Sequence, residues 1–196
     1  MSENSSDDDL IKRVDLTDDY YEVIQSLIRN KYRAEDADGN VVLRGKQKIL
    51  KLKEEFPFET PDGDAAFTVN AEGVLDIAGD YTLVDAETEE EVVVLDKNYT
   101  MFAHKWKLRD PDTESLIGRI ESQNTFACVV RSFSTLVATF LPNKYEITDH
   151  NGEHVGTIEG QLSLQDKYEI TIDDASSVSK ETIVAAAMVI DALERN

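Results

Sequence analysis

Two periods of hydrophobic and polar positions run through this chain. From Tyr20 onward, short alternating stretches are broken by tight turns, the period-two pattern of strands with one buried face. Two units are near copies: Lys31 to Gly39 and Lys144 to Gly152 match in Lys, Tyr, Asp and Gly at the same spacing, each after an asparagine. In both, a strand runs into Asp-Gly or Asn-Gly, a strong short-range hairpin signal. Looser copies at Tyr81 to Thr88 and Trp106 to Thr113 keep an Asp four residues after the aromatic. The chain therefore reads as repeated antiparallel hairpins, whose exposed edges vanish if the sheet closes into a barrel.

The other pattern is at the C-terminus, where Ile183 to Ile190 is apolar without interruption. A helix apolar all round must be enclosed, and eight residues fall far short of the ~20 that span a bilayer. The enclosure is expected to be protein: a strand-built shell around a helix from about Ser179 to Glu194, with Ile183, Val184, Ala187, Met188 and Ile190 buried. Ser176, Ser177 and Ser179 are candidate N-caps, and Glu181 suits the positive end of the helix dipole. Arg195 suits the other end, and Glu194 opposes it. The plainer alternative is a packed terminal helix with a wide apolar face.

A second helix is expected over Asn124 to Leu141. Phe126, Val129, Val130, Phe133, Leu136, Val137, Phe140 and Leu141 fall at amphipathic spacing, and Pro142 ends the run. Arg131 is its only charge. It reads as a cover over one barrel opening, with Phe126, Phe133, Val137 and Phe140 as the alternative contact for a membrane or a partner.

Composition narrows the setting. The 196 residues suit one domain, expected over 18–196 after a disordered acidic segment over 1–17. Forty acids against 20 Lys and Arg give a net charge of −20, spread along the chain. A distributed acidic excess keeps a protein soluble and is screened at high salt, so the chain reads as one from a salt-loving, archaeal cytoplasm. A nucleic-acid mimic is disfavoured by a lysine-rich strand. Cys128 is the only cysteine, which rules out an internal disulfide and a multi-cysteine zinc site. The N-terminus is polar and acidic, unlike a secretion signal.

With these elements in hand, the chain resembles the LURP-one-related family, on Asn143 to Gly160, the earlier copy at Asn30 to Gln47, and the closing helix. The resemblance extends from about Asp18 to the C-terminus. It implies a closed antiparallel barrel of about twelve strands around a buried C-terminal helix, a fold shared with tubby C-terminal domains and phospholipid scramblases. It supplies no common catalytic residues. The acylated cysteines and calcium segment of scramblases have no counterpart here, and the headgroup-binding basic residues of tubby domains cannot be placed on this sequence.

Motifs that could carry chemistry are few. His150-Asn151-Gly152-Glu153-His154 fits the H-x-x-E-H zinc pattern literally, but that chemistry needs a helix where Asn-Gly predicts a turn. Asp36-Ala37-Asp38-Gly39-Asn40 opens like a calcium loop, yet the positions that need Gly and Glu hold Val41 and Gln47. Asp110, Asp112 and Glu114 read as a solvated turn. No nucleophile elbow, phosphate-binding glycine loop or dinucleotide fingerprint is present. Arg44 to Lys53 is the exception: Arg44, Lys46, Lys48, Lys51 and Lys53 form five cations with no acid between. Lys46 and Lys48 share one strand face; Lys51 and Lys53 share the other unless a bulge at Ile49-Leu50 resets the alternation. The run serves either edge protection or an anionic ligand.

The expectation is a non-enzymatic, cytoplasmic binding or scaffold protein, peripheral to the membrane, with no cofactor and no metal. Anionic phospholipid or a protein is the expected partner, and nucleic acid is not. The competing expectation is a hydrolase or metal enzyme built on His104, His150 or His154.

Overall fold

The computed structural model describes residues 11–26, 31–46, 56–72, 80–100, 103–123, 144–161 and 166–194. Among these are twelve strands: β1 (Tyr20–Ser26), β2 (Lys31–Glu35), β3 (Val41–Lys46), β4 (Phe56–Glu59), β5 (Ala65–Glu72) and β6 (Asp80–Asp85) form the first half. β7 (Glu91–Thr100), β8 (Ala103–Arg109), β9 (Leu116–Ser122), β10 (Lys144–Asp149), β11 (His154–Gln161) and β12 (Asp166–Ile172) form the second. Each pairs antiparallel with its neighbours in sequence, and β1 pairs with β12, so the sheet closes into a barrel. One helix, α1 (Lys180–Glu194), follows.

The wall is built from one repeated unit. Each even strand from β2 to β10 carries a buried aromatic (Tyr32, Phe56, Tyr81, Trp106 and Tyr145), and four residues later an Asp or Thr turns the chain. The period of two puts both on the inner face. Asp36, Thr60, Asp85, Asp110 and Asp149 then accept hydrogen bonds from backbone N–H groups of their own turns. In all five hairpins the register slips just before this residue. The extra residue on the returning strand is apolar: Val42, Ala66, Val92, Ile117 or Val155. Ala66, Val92 and Val155 are buried, and Val42 and Ile117 pack against the core. A bulge lets two successive residues serve one face, so each hairpin thickens the core where the barrel needs a floor.

Gly39, Gly63 and Gly152 close three of these turns at φ 82°, 94° and 91°. The β6–β7 and β8–β9 turns are one residue longer and place Glu89 and Glu114 in the same left-handed region, at φ 59° and 56°.

Inside the wall, every residue of α1 from Glu181 to Ala192 is buried, including Ile183, Val184, Ala187, Met188 and Ile190. The helix is enclosed on all sides, and the surface-helix alternative falls. Ser179 is its N-cap: its Oγ accepts from Thr182 N at 3.2 Å and donates to Thr182 Oγ1 at 3.0 Å. Small residues at 185–187 allow close approach of the wall.

The expectation of a disordered segment over 1–17 is corrected for 11–17. Ile11, Val14 and Leu16 are buried in the core, and the segment straps across the turn-bearing end. Lys12 N donates to Asp85 Oδ2 (2.9 Å), Leu16 N to Glu181 Oε1 (3.1 Å), and Lys180 Nζ to Thr17 O (2.7 Å). Three apolar residues spaced through the segment give it enough to bury, which an average over the acidic composition of 1–17 conceals. The expected 124–141 helix and Cys128 lie outside the described residues.

Candidate functional site

Directly paired residues of an antiparallel sheet point to the same face, so the register sorts the outer wall into rows. One row is acidic: Glu159 lies opposite Glu169, Glu169 opposite Glu22, and Glu22 opposite Glu35, across β11, β12, β1 and β2. The next row, away from the turn-bearing end, is basic. Lys167 lies opposite Ile24, Ile24 opposite Arg33, and Arg33 opposite Arg44. One step further along, Lys31 lies opposite Lys46. Like charges directly opposite oppose folding, so two such pairs in an acidic chain are unexpected.

Local contacts tie the rows together and partly neutralise the basic one, and Arg44 also lies opposite Glu59 of β4. Arg33 Nε reaches Glu35 at 2.5 Å, and Lys167 Nζ reaches Glu22 at 2.5 Å and Glu169 at 3.9 Å. Burial pushes the Glu22 carboxyl up, but bonds from Lys167 and Tyr20 outweigh it and hold it below the usual range. The Tyr20 hydroxyl is pushed well above its ordinary value by burial and by donation to Glu22. Arg44 is exposed and donates from Nη1 to Pro61 O (2.6 Å), while Lys31 is exposed. Ile24, on the outer face, is only 6% exposed between Arg33 and Lys167, an apolar floor between two cations. Elsewhere on the wall Lys107 lies opposite Arg119, but there Asp96 approaches Lys107 to 4.0 Å and Arg109 to 3.7 Å.

Of the residues singled out in sequence, Arg44 stands in this band and Lys46 ends β3 within it; Lys48, Lys51 and Lys53 lie outside the described residues, as do Phe126, Phe133, Val137 and Phe140. The strands that flank these segments are informative. Lys46 and Phe56 bracket one segment, Ser122 and Lys144 the other, and all four stand at the barrel end opposite the Asp turns. That is the end toward which the basic band lies. Sequence reading missed Lys31, Arg33 and Lys167, because only the register brings β12 beside β1 and β2.

The histidines do not assemble. His150 sits in the β10–β11 turn with its side chain 53% exposed, 3.8 Å from Asp149 Oδ2. His154 opens β11 between Glu146 and Asp173. His104 is on β8, opposite Tyr99 of β7, two strands away from β10. The H-x-x-E-H residues span a turn, and among the described residues no group of three or more His, Cys, Asp or Glu could hold a metal ion. Asp36 does not offer a free calcium ligand either. Its Oδ1 accepts from Asn40 N (2.7 Å) and Asp38 N (3.0 Å), and its Oδ2 from Asn40 Nδ2 (2.9 Å). These bonds, the Asn40 side chain first, hold its carboxyl below the ordinary value. Asp149 is alike in direction: burial pushes it up, and donation from Glu153 and Asn151, with His150 near, outweighs that. No helix among the described residues is long and apolar enough to cross a membrane.

A closed twelve-strand barrel around an apolar helix defines a class of helix-filled barrels. The LURP-one-related family profile matches residues 41–191, and the chain belongs to that family. The X-ray structure of a protein from Arabidopsis thaliana has the same fold: TM-score 0.57 at 10% identity, covering 90% of this chain and 92% of that one. No curated protein matches the chain.

Proposed function

We propose that this is a non-enzymatic LURP-one-related protein that binds an anionic ligand, phospholipid headgroups foremost, on the outer wall of β12, β1, β2 and β3. The observation that carries the reading is the register that sets Arg33 against Arg44 and Lys31 against Lys46. Arg33 bridges Glu35 and Arg44 lies opposite Glu59, yet Lys31 and Arg44 are exposed on the wall, where an anionic ligand can reach them. A cytoplasmic protein at the membrane periphery fits this role, and the acid excess over the rest of the surface fits a salt-rich interior.

Flotation with anionic and neutral vesicles tests the reading, at low and at molar potassium chloride. Wild type is expected to float with anionic vesicles only, more strongly at low salt, since screening weakens such contacts. The Lys31→Glu, Arg44→Glu double variant is expected to stay with the unbound fraction. Lys144→Glu, on β10 away from the band, should float as wild type does. Equal flotation of wild type and the double variant removes the band as the site.

A further inference from the structure

Both ring nitrogens of His154 face carboxylates. Nδ1 meets Glu146 Oε1 on β10, and Nε2 lies 2.8 Å from Asp173 Oδ2, in the segment that carries the chain from β12 into α1. An ionised carboxylate can only accept, and a neutral imidazole carries a single N–H. Both contacts are therefore hydrogen bonds only when the ring is protonated. We propose that His154 is a proton-operated clasp that holds the 173–179 segment against the β10–β11 hairpin, closed as the imidazolium and released when its proton passes to water.

The surroundings favour the closed form near neutrality. Beside Glu146, β10 contributes Asp149, and the turn contributes His150 and Glu153. The segment itself contributes Asp173 and Asp174. From β9, Glu121 lies opposite Glu146 and is held by Lys105 of β8 at 3.0 Å. Arg119, also on β9, reaches the Asp149 carbonyl at 3.5 Å. Carboxylates dominate this set. Hydrogen bonding to Asp173, then to Glu146, outweighs a small burial cost and raises His154 above its ordinary 6.5. A raised value in the folded state means that the clasp contributes fully below about 6.5 and is lost as pH climbs through the raised value.

The same two elements are joined beside the clasp by Asp173 N and Asp174 N, which donate to Val155 O at 2.8 and 3.1 Å. Those two amides report on the clasp. It closes at the barrel end where the helix enters, far from the basic band, and does not depend on the ligand-binding proposal.

Hydrogen exchange by NMR, corrected for intrinsic rates, is measured at Asp173 and Asp174 from about pH 6 to about pH 9, together with the imidazole titration of His154. Protection in the wild type should fall about three-fold across the titration, the factor expected of losing an exposed ion pair. His154→Gln should show the low protection at every pH. His154→Lys, which keeps the charge, should hold the high protection to the top of the range, and His150→Gln should leave the wild-type dependence unchanged. Protection independent of pH in the wild type, a dependence that survives in His154→Gln, or an imidazole that titrates at or below its ordinary value each overturns the clasp.

Discussion

At the scale of single residues, the turn positions hold the most readable energetics. Asp85 is 1% exposed and accepts four hydrogen bonds, from Glu87 N, Thr88 N and Thr88 Oγ1 in its own turn and from Lys12 N of the strap. Removing it takes away four part-buried hydrogen bonds at once, so Asp85→Ala is expected to cost about 2 kcal/mol in denaturant unfolding. Proteolysis near Lys12 and Arg13 should rise with it, because the strap loses an anchor. Glu89 presents the opposite opportunity. Its φ of 59° costs a side-chain-bearing residue about 1–2 kcal/mol, whereas glycine loses about 0.5–1 kcal/mol in unfolded-chain entropy. Glu89→Gly should therefore stabilise by about 0.5 kcal/mol. Glu89→Gln, which removes the same charge without the backbone relief, separates the two effects in a parallel melt.

At the scale of elements, the bulges and the helix enclosure govern what the wall tolerates. Gly156 precedes the inward return of β11, and a Cβ there would meet Thr171 O at 2.2 Å and Ile172 Cα at 3.1 Å, both backbone atoms. Backbone cannot swing aside as a side chain does, so Gly156→Ala should lower stability by about 1–3 kcal/mol, measured as a shift of the unfolding midpoint. The helix is less forgiving of charge. Ala187 is 4% exposed inside the barrel, where it lines a small cavity with Ile158, Ile190 and the buried Asp191, so Ala187→Asp would bury a second carboxylate there. Loss of more than about 4 kcal/mol is expected, which leaves little or no folded protein by circular dichroism. Ala187→Gly should fold, weakened by about 1 kcal/mol from helix propensity.

At the scale of the whole molecule, charge sets the response to solvent. Folding draws the acids of a chain with net charge −20 together, and salt screens the resulting repulsion. The thermal midpoint is expected to rise from dilute buffer to molar potassium chloride, and apolar burial adds to the rise where ions are excluded from the surface. Neighbouring Glu159, Glu169, Glu22 and Glu35 should contribute locally. Glu35→Gln breaks an acidic pair but also the Arg33 contact, so its effect should be smaller than that of a solitary surface acid. A flat or falling midpoint in potassium chloride would remove salt adaptation as the reason for the acid excess.

The hairpins, the aromatic-to-Asp spacing and the closing helix were legible in the order of residues, because each is a local pattern with a physical period. The apolar run Ile183 to Ile190 required enclosure whatever enclosed it. Other features were hidden because they depend on which distant residues become neighbours. Lys167, Arg33 and Arg44 form a band only once β12 closes on β1, and a period-two reading of each strand alone cannot see across the sheet. The five bulges appeared in sequence as adjacent apolar residues that interrupt alternation, such as Val41-Val42-Leu43 and Val92-Val93, and only the paired strand shows that one of them is extra. The strap over 11–17 reads as tail because it continues an acidic N-terminal run, although it holds one acid, Asp15, against three apolar residues. Burial of Ile11, Val14 and Leu16 depends on an opening that exists only after the barrel has formed. Local periodicity thus determined the elements, and closure of the sheet decided which side chains meet.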